Sequence, residues 1–190
     1  DVYRLINVPT ALEAMDELGY ESAQIVAPSD YVDPDRLQDF RMDTTLREPT
    51  LMEIDLARGE LARRMGPNDH LTVYITGHGF ERGDQALLKM GATETYEESD
   101  LEHGLQALGE RSVLVVADQC YGAGFAKRSV TNSQVEGISA SEVGKQSWYN
   151  SFHEVFWPLL AITGNTRPAF KAAYALDDSR ETKSQHPQHF

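Results

Sequence analysis

Cysteine is nearly absent from this sequence, whose 190 residues include only Cys120. One thiol cannot form a disulfide within the chain, so nothing indicates an oxidising compartment, and we expect a cytoplasmic protein. Long apolar runs are also missing. None approaches the roughly 20 residues that cross a bilayer, and no signal-peptide pattern opens the sequence, so we expect no membrane segment here.

Positive charge is scarce as well. Lysine and arginine total 17 against 30 aspartates and glutamates, which gives a net charge of −13. An acidic surface repels phosphate groups, so we expect no nucleic acid partner, and a cationic peptide suits this field better. The histidines and carboxylates show no metal-ligand spacing, so we expect neither a metal nor another cofactor.

Two apolar stretches rich in β-branched residues are present, and each stops abruptly at a polar residue beside glycine. Residues 71–77 lead to His78, and residues 113–117 lead to Cys120. Such runs are typical of strands buried on both faces of a parallel sheet. Ligand and catalytic groups of open α/β sheets lie at the carboxyl ends of strands, which is where His78 and Cys120 fall.

Strands that alternate with amphipathic segments predict an α/β fold with helices on both faces of a mostly parallel sheet. We expect one domain at residues 1–176 and a polar tail at 177–190. The other segments are predicted as a surface loop at 29–49, a hairpin arm at 84–89 and an exposed linker at 126–134. The predicted strands are 24–27, 71–77, 113–117 and 135–140, and the predicted helices are 9–18, 51–65, 97–108, 152–162 (kinked or broken at Pro158) and 168–176. Residues 2–8 either extend the first helix or form a strand.

Cys120 and His78 together suit acyl transfer. A thiolate is a strong nucleophile, histidine moves protons near neutral pH, and the neighbouring glycines leave backbone N–H groups free to hold an oxyanion. Taken alone, a cysteine after an apolar strand is usually a small buried hydrophobe, and a histidine in a glycine-rich turn is usually only a turn residue. The two residues lie 42 positions apart, one βαβ crossover, and this pairing at matching strand ends favours function.

Both motifs also resemble those of a known clan. Thr76-Gly-His-Gly resembles the histidine-glycine motif of the caspase/legumain clan of cysteine peptidases, and Ala117-Asp-Gln-Cys-Tyr-Gly-Ala-Gly-Phe resembles its nucleophile motif. Weaker similarity covers about residues 3–160 and includes Ile138-Ser-Ala-Ser, which resembles the clan's next strand. Legumains have Glu-Ala-Cys-Glu-Ser where this chain has Asp118-Gln-Cys-Tyr-Gly, which is closer to the Asp-x-Cys form of metacaspases.

This resemblance implies a caspase-like three-layer α/β/α sandwich whose first strand precedes residue 1, within a larger chain. It also implies roles for the motif residues. Cys120 would attack the scissile carbonyl, and His78 would protonate the leaving amine and later activate water. The backbone N–H groups of Gly79 and Cys120 would hold the oxyanion, and the chemistry would need no metal.

Substrate choice leaves several alternatives open. Asp118 either lines the primary pocket and favours Arg or Lys, or only orders the loop through backbone N–H groups. Arg4 matches a pocket arginine that legumains use for Asn and caspases for Asp, or it is a surface arginine. Ser139, Ser141 and Ser147 either face an extended substrate along a strand edge or are ordinary loop residues.

The leading hypothesis is a cysteine endopeptidase that acts on peptides or proteins and cuts itself in the 126–134 linker. A cut after Lys127 or Arg128 would support the Asp118 pocket, and a cut after Asn132 would support the Arg4 pocket. A catalytically silent regulatory module, a transamidase using the same dyad, and a small-molecule hydrolase or nucleotide-binding domain with a closed pocket remain alternatives. Dimer formation is also left open.

Overall fold

The computed structural model describes residues 4–28, 32–91, 93–147, 152–176 and 186–190, with the backbone alone for residues 4–7. None of the helices in these ranges combines the length and hydropathy that a membrane crossing requires. The helices are α1 (Arg4–Glu17), α2 (Leu51–Arg64), α3 (Glu98–Gln106), α4 (Gly122–Ser129), α5 (Phe152–Thr163) and α6 (Thr166–Leu176). The strands are β1 (Ser22–Val26), β2 (Asp43–Arg47), β3 (His70–Gly77), β4 (Gly79–Arg82), β5 (Gln85–Met90), β6 (Glu94–Glu97), β7 (Ser112–Gln119), β8 (Val135–Ser139) and β9 (Gln188–His189).

The central sheet has the strand order β3-β7-β8-β9. Strands β3, β7 and β8 run parallel, and β9 pairs antiparallel to β8. Strand β7 lies in the middle and is buried from Val113 to Gln119. Its continuous apolar composition follows from this position, because a strand paired on both edges and covered on both faces meets no water.

Helices cover both faces of this sheet, as predicted from the sequence. Leu114 and Val116 of β7 belong to the core formed with α1, α5 and α6, whereas Val113 and Val115 belong to the core formed with α3 and α4. The residues separate in this way because successive side chains of a strand point to opposite faces. The chain therefore has the expected three-layer α/β/α fold with a mostly parallel sheet.

Helix α4 occupies part of the segment that the sequence predicts as an exposed linker, and that prediction is wrong for 126–129. The first four residues of the predicted linker form the last turn of α4, and Ala126 and Ser129 are fully buried. Within this turn only Lys127 and Arg128 are exposed, and their charges make the segment look like a polar linker in the sequence. Two small buried residues are a weak signal beside two large charged ones.

Three further elements differ from the sequence-based expectations. Helix α1 begins at Arg4, so residues 4–8 extend the predicted helix, an alternative that the sequence left open, and Pro9 lies inside the helix rather than in its first turn. Strand β2 falls within the predicted 29–49 loop and pairs in parallel with β1. Its residues are mostly polar, so no apolar pattern marks it. Helix α5 continues through Pro158 to Thr163.

The predicted hairpin arm is part of a three-stranded antiparallel unit, β4-β5-β6.

The end of the chain belongs to the sheet. The sequence predicts a polar tail with nothing to bury from residue 177 onwards, and residues 177–185 lie outside the described ranges. Strand β9, however, pairs with Ile138 and Ser139 of β8, and Phe190 exchanges backbone hydrogen bonds of 2.8 and 3.3 Å with Gly137. Backbone pairing along a sheet edge needs no apolar pattern, which is why composition alone does not reveal it.

A cavity of about 990 Å³ lies between β1 and β3. Consecutive residues 20–27 and 69–76 line its two sides, and near the start of both strands the Tyr20 hydroxyl lies 2.5 Å from Thr72 Oγ1. Neither His78 nor Cys120 lines this cavity, so it is separate from the residues singled out for chemistry.

The expectation of a first strand that precedes residue 1 stays a prediction.

Candidate active site

The carboxyl ends of β3 and β7 bring His78 and Cys120 to the same edge of the sheet, as predicted. The two strands are parallel neighbours, and their last paired residues are Gly77 and Gln119. His78 and Cys120 each follow directly, so both leave the sheet at the same level. His78 is exposed, and Cys120 is half-buried. The Cys120 thiol is not part of a disulfide.

Two glycines allow the histidine loop to lie against the cysteine. Gly77 has a φ of +146°, a conformation that side chains with a Cβ rarely adopt. A Cβ built on Gly79 would lie 1.8 Å from the carbonyl oxygen of Cys120, so the two backbones touch at this point. The carbonyl of His78 accepts a hydrogen bond of 2.8 Å from the N–H of Lys89, which ties the histidine loop to β5.

The segment that follows β8 lies along the nucleophile. The Cys120 thiol donates to the carbonyl oxygen of Ser147, with Sγ and O 3.3 Å apart. The N–H of Tyr121 donates to the carbonyl of Lys145 at 2.8 Å. Ser147, one of the predicted substrate-binding residues, is thus brought to Cys120 by its backbone.

The turn after Cys120 is tight. Tyr121 has a φ of 59° and a ψ of 16°, the left-handed conformation that is uncommon for residues other than glycine. Helix α4 begins at the next residue, Gly122, where a Cβ would lie 2.6 Å from the carbonyl oxygen of Ala117. Gly122 therefore allows the helix to start close against the end of β7.

Ser139 and Ser141 are both fully buried behind this turn. The Ser141 hydroxyl donates to the carbonyl of Gln119 at 3.2 Å and accepts the N–H of Gly122 at 3.1 Å. The Ser139 hydroxyl in turn donates to the carbonyl of Ser141 and accepts its N–H, at 2.9 and 3.0 Å. The Ser141 hydroxyl thus bonds the backbone on both sides of Cys120, and the Ser139 hydroxyl bonds the backbone of Ser141. The predicted contact of the two serines with a substrate stays a prediction.

Asp118 lies on the face of β7 that α5 covers. Two side chains that the sequence patterns do not point to hold it there. The Tyr74 hydroxyl donates to Asp118 Oδ2 at 3.0 Å. His153 Nδ1 lies 3.3 Å from the same oxygen, within ion-pair range but not aligned for a hydrogen bond. The Asp118 side chain is 1 % exposed and that of His153 is 6 % exposed. A buried carboxylate is costly without such partners.

Tyr74 is a permanent donor in this cluster. Burial, and then the charge of the Asp118 carboxylate, raise the pKa of Tyr74 well above its ordinary value. The phenol therefore keeps its proton at neutral pH. Tyr74 also packs edge-to-face against Trp157, with ring centroids 5.0 Å apart, so its ring is held as well as its hydroxyl.

Sequence patterns gave no signal for this cluster. Tyr74 lies on β3 and His153 on α5, so the two reach Asp118 only through the layered packing of the fold. Arg4 is the first residue of α1, but its side chain lies outside what the structure describes, and its predicted pocket role stays a prediction. Within the described ranges, no three histidine, cysteine, aspartate or glutamate side chains are grouped as metal ligands would be.

Comparison with known families bears on the reaction class. The model of the peptidase C13 family matches residues 57–162, more than half of the chain. The matched range contains His78, Asp118, Cys120 and the segment up to Ser147, whereas Arg4 precedes it. No curated protein matches the chain significantly. The chain belongs to the peptidase C13 family, the legumain family of the caspase-like clan of cysteine peptidases.

Proposed function

We propose that this protein is a cysteine endopeptidase that cleaves peptide bonds with Cys120 and His78 through a thioester acyl-enzyme. The observation that carries the proposal is the backbone contact between the two loops, in which a Cβ on Gly79 would lie 1.8 Å from the Cys120 carbonyl oxygen. We propose that this backbone contact brings the loop of His78, a proton carrier, beside the nucleophile Cys120.

The proposed reaction has two halves. The Cys120 thiol gives its proton to His78 while its sulfur attacks the scissile carbonyl carbon, and the N–H groups of Gly79 and Cys120 hold the resulting oxyanion. When the tetrahedral intermediate collapses, the C–N bond breaks and His78 gives a proton to the leaving amine. Water, deprotonated by His78, then attacks the thioester, which releases the acid and restores the thiol.

We place the substrate along residues 142–147. The carbonyl of Ser147 accepts the Cys120 thiol proton in the unbound protein, and the neighbouring residues 142–146 are largely exposed. An extended peptide binds an open edge of backbone by strand pairing, with its scissile bond over the sulfur. The net charge of −13 favours cationic peptides in this position.

Asp118 is the proposed determinant of a preference for Arg or Lys before the scissile bond. Asp118→Asn removes its charge, and we expect kcat/KM for such substrates to fall about a hundredfold, since a buried charge then lacks its partner. The matched control is Tyr74→Phe, which removes a hydrogen bond to Asp118 but keeps the charge. A peptide library with every residue type at this position measures the preference.

Two outcomes of this profiling would contradict the pocket role of Asp118. If Asp118→Asn and Tyr74→Phe slow all substrates by the same factor, the carboxylate only orders the loop. If the unmodified protein prefers Asn or Asp, the pocket is built around Arg4 instead.

Of the bonds after Lys127, Arg128 and Asn132, we propose self-cleavage only at the one after Asn132. The bonds after Lys127 and Arg128 lie in α4, and a helical bond does not fit a site that binds extended chains. Asn132 lies in the turn that leads to β8, where its side chain donates to the carbonyl of Gly109 and accepts the N–H of Gln134.

A peptide acyloxymethyl-ketone probe tests the function directly. We expect one covalent adduct per chain, located on Cys120 by mass spectrometry and prevented by excess substrate peptide. Absence of the adduct in a folded protein would favour a catalytically silent module. Adding an amine acceptor to the cleavage assay separates hydrolysis from transamidation, because a transamidase would release the peptide as an amide.

A further inference from the structure

Ser141 holds both ends of the turn that carries the nucleophile. Its hydroxyl donates its one proton to the carbonyl of Gln119 and accepts the N–H of Gly122, at 3.2 and 3.1 Å. These two groups flank Cys120 and Tyr121. In an ordinary tight turn the first carbonyl would bond the fourth N–H directly, whereas here the hydroxyl stands between them.

Geometry ties this contact to the amide of Cys120. The Gln119 carbonyl and the Cys120 N–H belong to one planar peptide unit, in which the two groups point in opposite directions. A hydrogen bond that fixes the carbonyl therefore fixes the direction of the N–H as well. That N–H is one of the two donors proposed for the oxyanion.

The hydroxyl of Ser141 is itself held in place. Ser139 bonds both the N–H and the carbonyl of Ser141, so the backbone of Ser141 cannot swing. Each of the two serines uses its hydroxyl once as a donor and once as an acceptor, which satisfies both in a fully buried place. Such a connected buried network holds one geometry rather than several.

We infer that Ser141 is a positioning residue that orients the Cys120 N–H toward the oxyanion, an inference that rests on the proposed function. Ser141 is fully buried, and in this role it acts through the backbone of Cys120 rather than through contact with the substrate. We therefore expect a change at Ser141 to slow the acyl-transfer step. The affinity for peptide and the reactivity of the Cys120 sulfur should stay the same.

Two small reagents, p-nitrophenyl acetate and iodoacetamide, separate an effect on the oxyanion from an effect on the sulfur. Neither reagent has to be recognised as a peptide. In acylation by p-nitrophenyl acetate, the Cys120 sulfur bonds the ester carbonyl carbon, p-nitrophenolate leaves with the electron pair of the broken C–O bond, and the thiol proton goes to solvent. This reaction passes through an oxyanion. Alkylation by iodoacetamide displaces iodide at a methylene carbon and forms no oxyanion. Cys120 is the chain's one cysteine, so both rates report this site alone.

We expect Ser141→Ala to slow acylation about tenfold and to leave alkylation within about twofold of the unmodified protein. Removing an oxyanion donor outright costs roughly 10²–10³-fold, and a donor that is present but free to turn costs less. Ser129→Ala is the matched control. Ser129 is also fully buried, and its hydroxyl bonds the carbonyl of Ala126 within α4, with no other hydrogen bond among the described residues, so this variant should alter neither rate.

Ser141→Thr keeps the hydroxyl and should restore acylation toward the unmodified rate. The inference is overturned if Ser141→Ala acylates like Ser129→Ala, or if its acylation and alkylation slow in parallel. It is also overturned if, in the peptide assay, Ser141→Ala raises KM and leaves kcat unchanged. A protein that cleaves no peptide but shows the expected split between the two reagents would refute the proposed function and support the role of Ser141.

Discussion

Cys120→Ala is expected to abolish peptide cleavage, with a loss of at least roughly 10⁴-fold in kcat, and to leave the fold intact. The thiol is the proposed nucleophile, and when a nucleophile is removed only binding and oxyanion stabilisation remain to act on the substrate. Cys120 is half-buried, and within the described part of the chain its sulfur makes one weak hydrogen bond, to Ser147, so little stability depends on it. Initial cleavage rates and thermal unfolding of the same preparation measure the two effects.

Cys120→Ser separates chemistry from structure in this experiment. A serine hydroxyl can still donate to the carbonyl of Ser147, but it is a far weaker nucleophile without a strong base. Both variants should therefore be inactive, and the serine variant should unfold at the temperature of the unmodified protein. Cleavage retained by the alanine variant would refute the proposed role of Cys120.

Gly79→Ala is the second change expected to have a large effect. The added Cβ would lie 1.8 Å from the Cys120 carbonyl oxygen and 2.8 Å from its carbon, and both are backbone atoms that no rotamer change can move. The loops must therefore separate by about 1 Å, and a misplacement of this size can lower kcat/KM about a hundredfold. We also expect a loss of about 1–3 kcal/mol in the free energy of unfolding, as for other overpacked sites.

Gly59→Ala is the matched control for this clash. Gly59 lies inside α2, and nothing lies within 4 Å of a Cβ built there. The same chemical change should leave kcat/KM unaltered and raise the free energy of unfolding by about 0.5–1 kcal/mol, because alanine favours a helix. If Gly79→Ala matches Gly59→Ala in activity, the contact between the two loops does not position the catalytic groups.

The motif residues could be found from the sequence because their signals are local. Strand β7 is buried on both faces, so its residues must be apolar, and the chain can become polar only where the strand ends at Asp118 and Gln119. Strand β3 lies at the edge of the sheet and is mostly half-buried, and its signal before His78 is its content of β-branched and aromatic residues. Parallel neighbours end at one edge, so the meeting of His78 and Cys120 follows from the pattern and from topology rules alone.

The other parts of the candidate site could not be found in this way. The contact of Tyr74 with Asp118 joins two strands, and that of His153 reaches across from α5, so neither leaves a spacing pattern in the chain. Helix α4 was missed for a related reason. Its buried side consists largely of small residues whose fit depends on what lies opposite, such as Glu98 Oε2 at 2.4 Å from a Cβ built on Gly124.

The order of residues thus determined the peptidase family, the fold class and the edge of the sheet at which we propose that the chemistry takes place. These follow from burial along single strands and from glycine beside a nucleophile, which are properties of neighbours in the chain. Packing between layers decided how Cys120 is held: the backbone contact with Gly79, the hydroxyl of Ser141 behind the turn, and the buried partners of Asp118. Such contacts join residues that are distant in sequence, and they exist only after the sheet and its helices have come together.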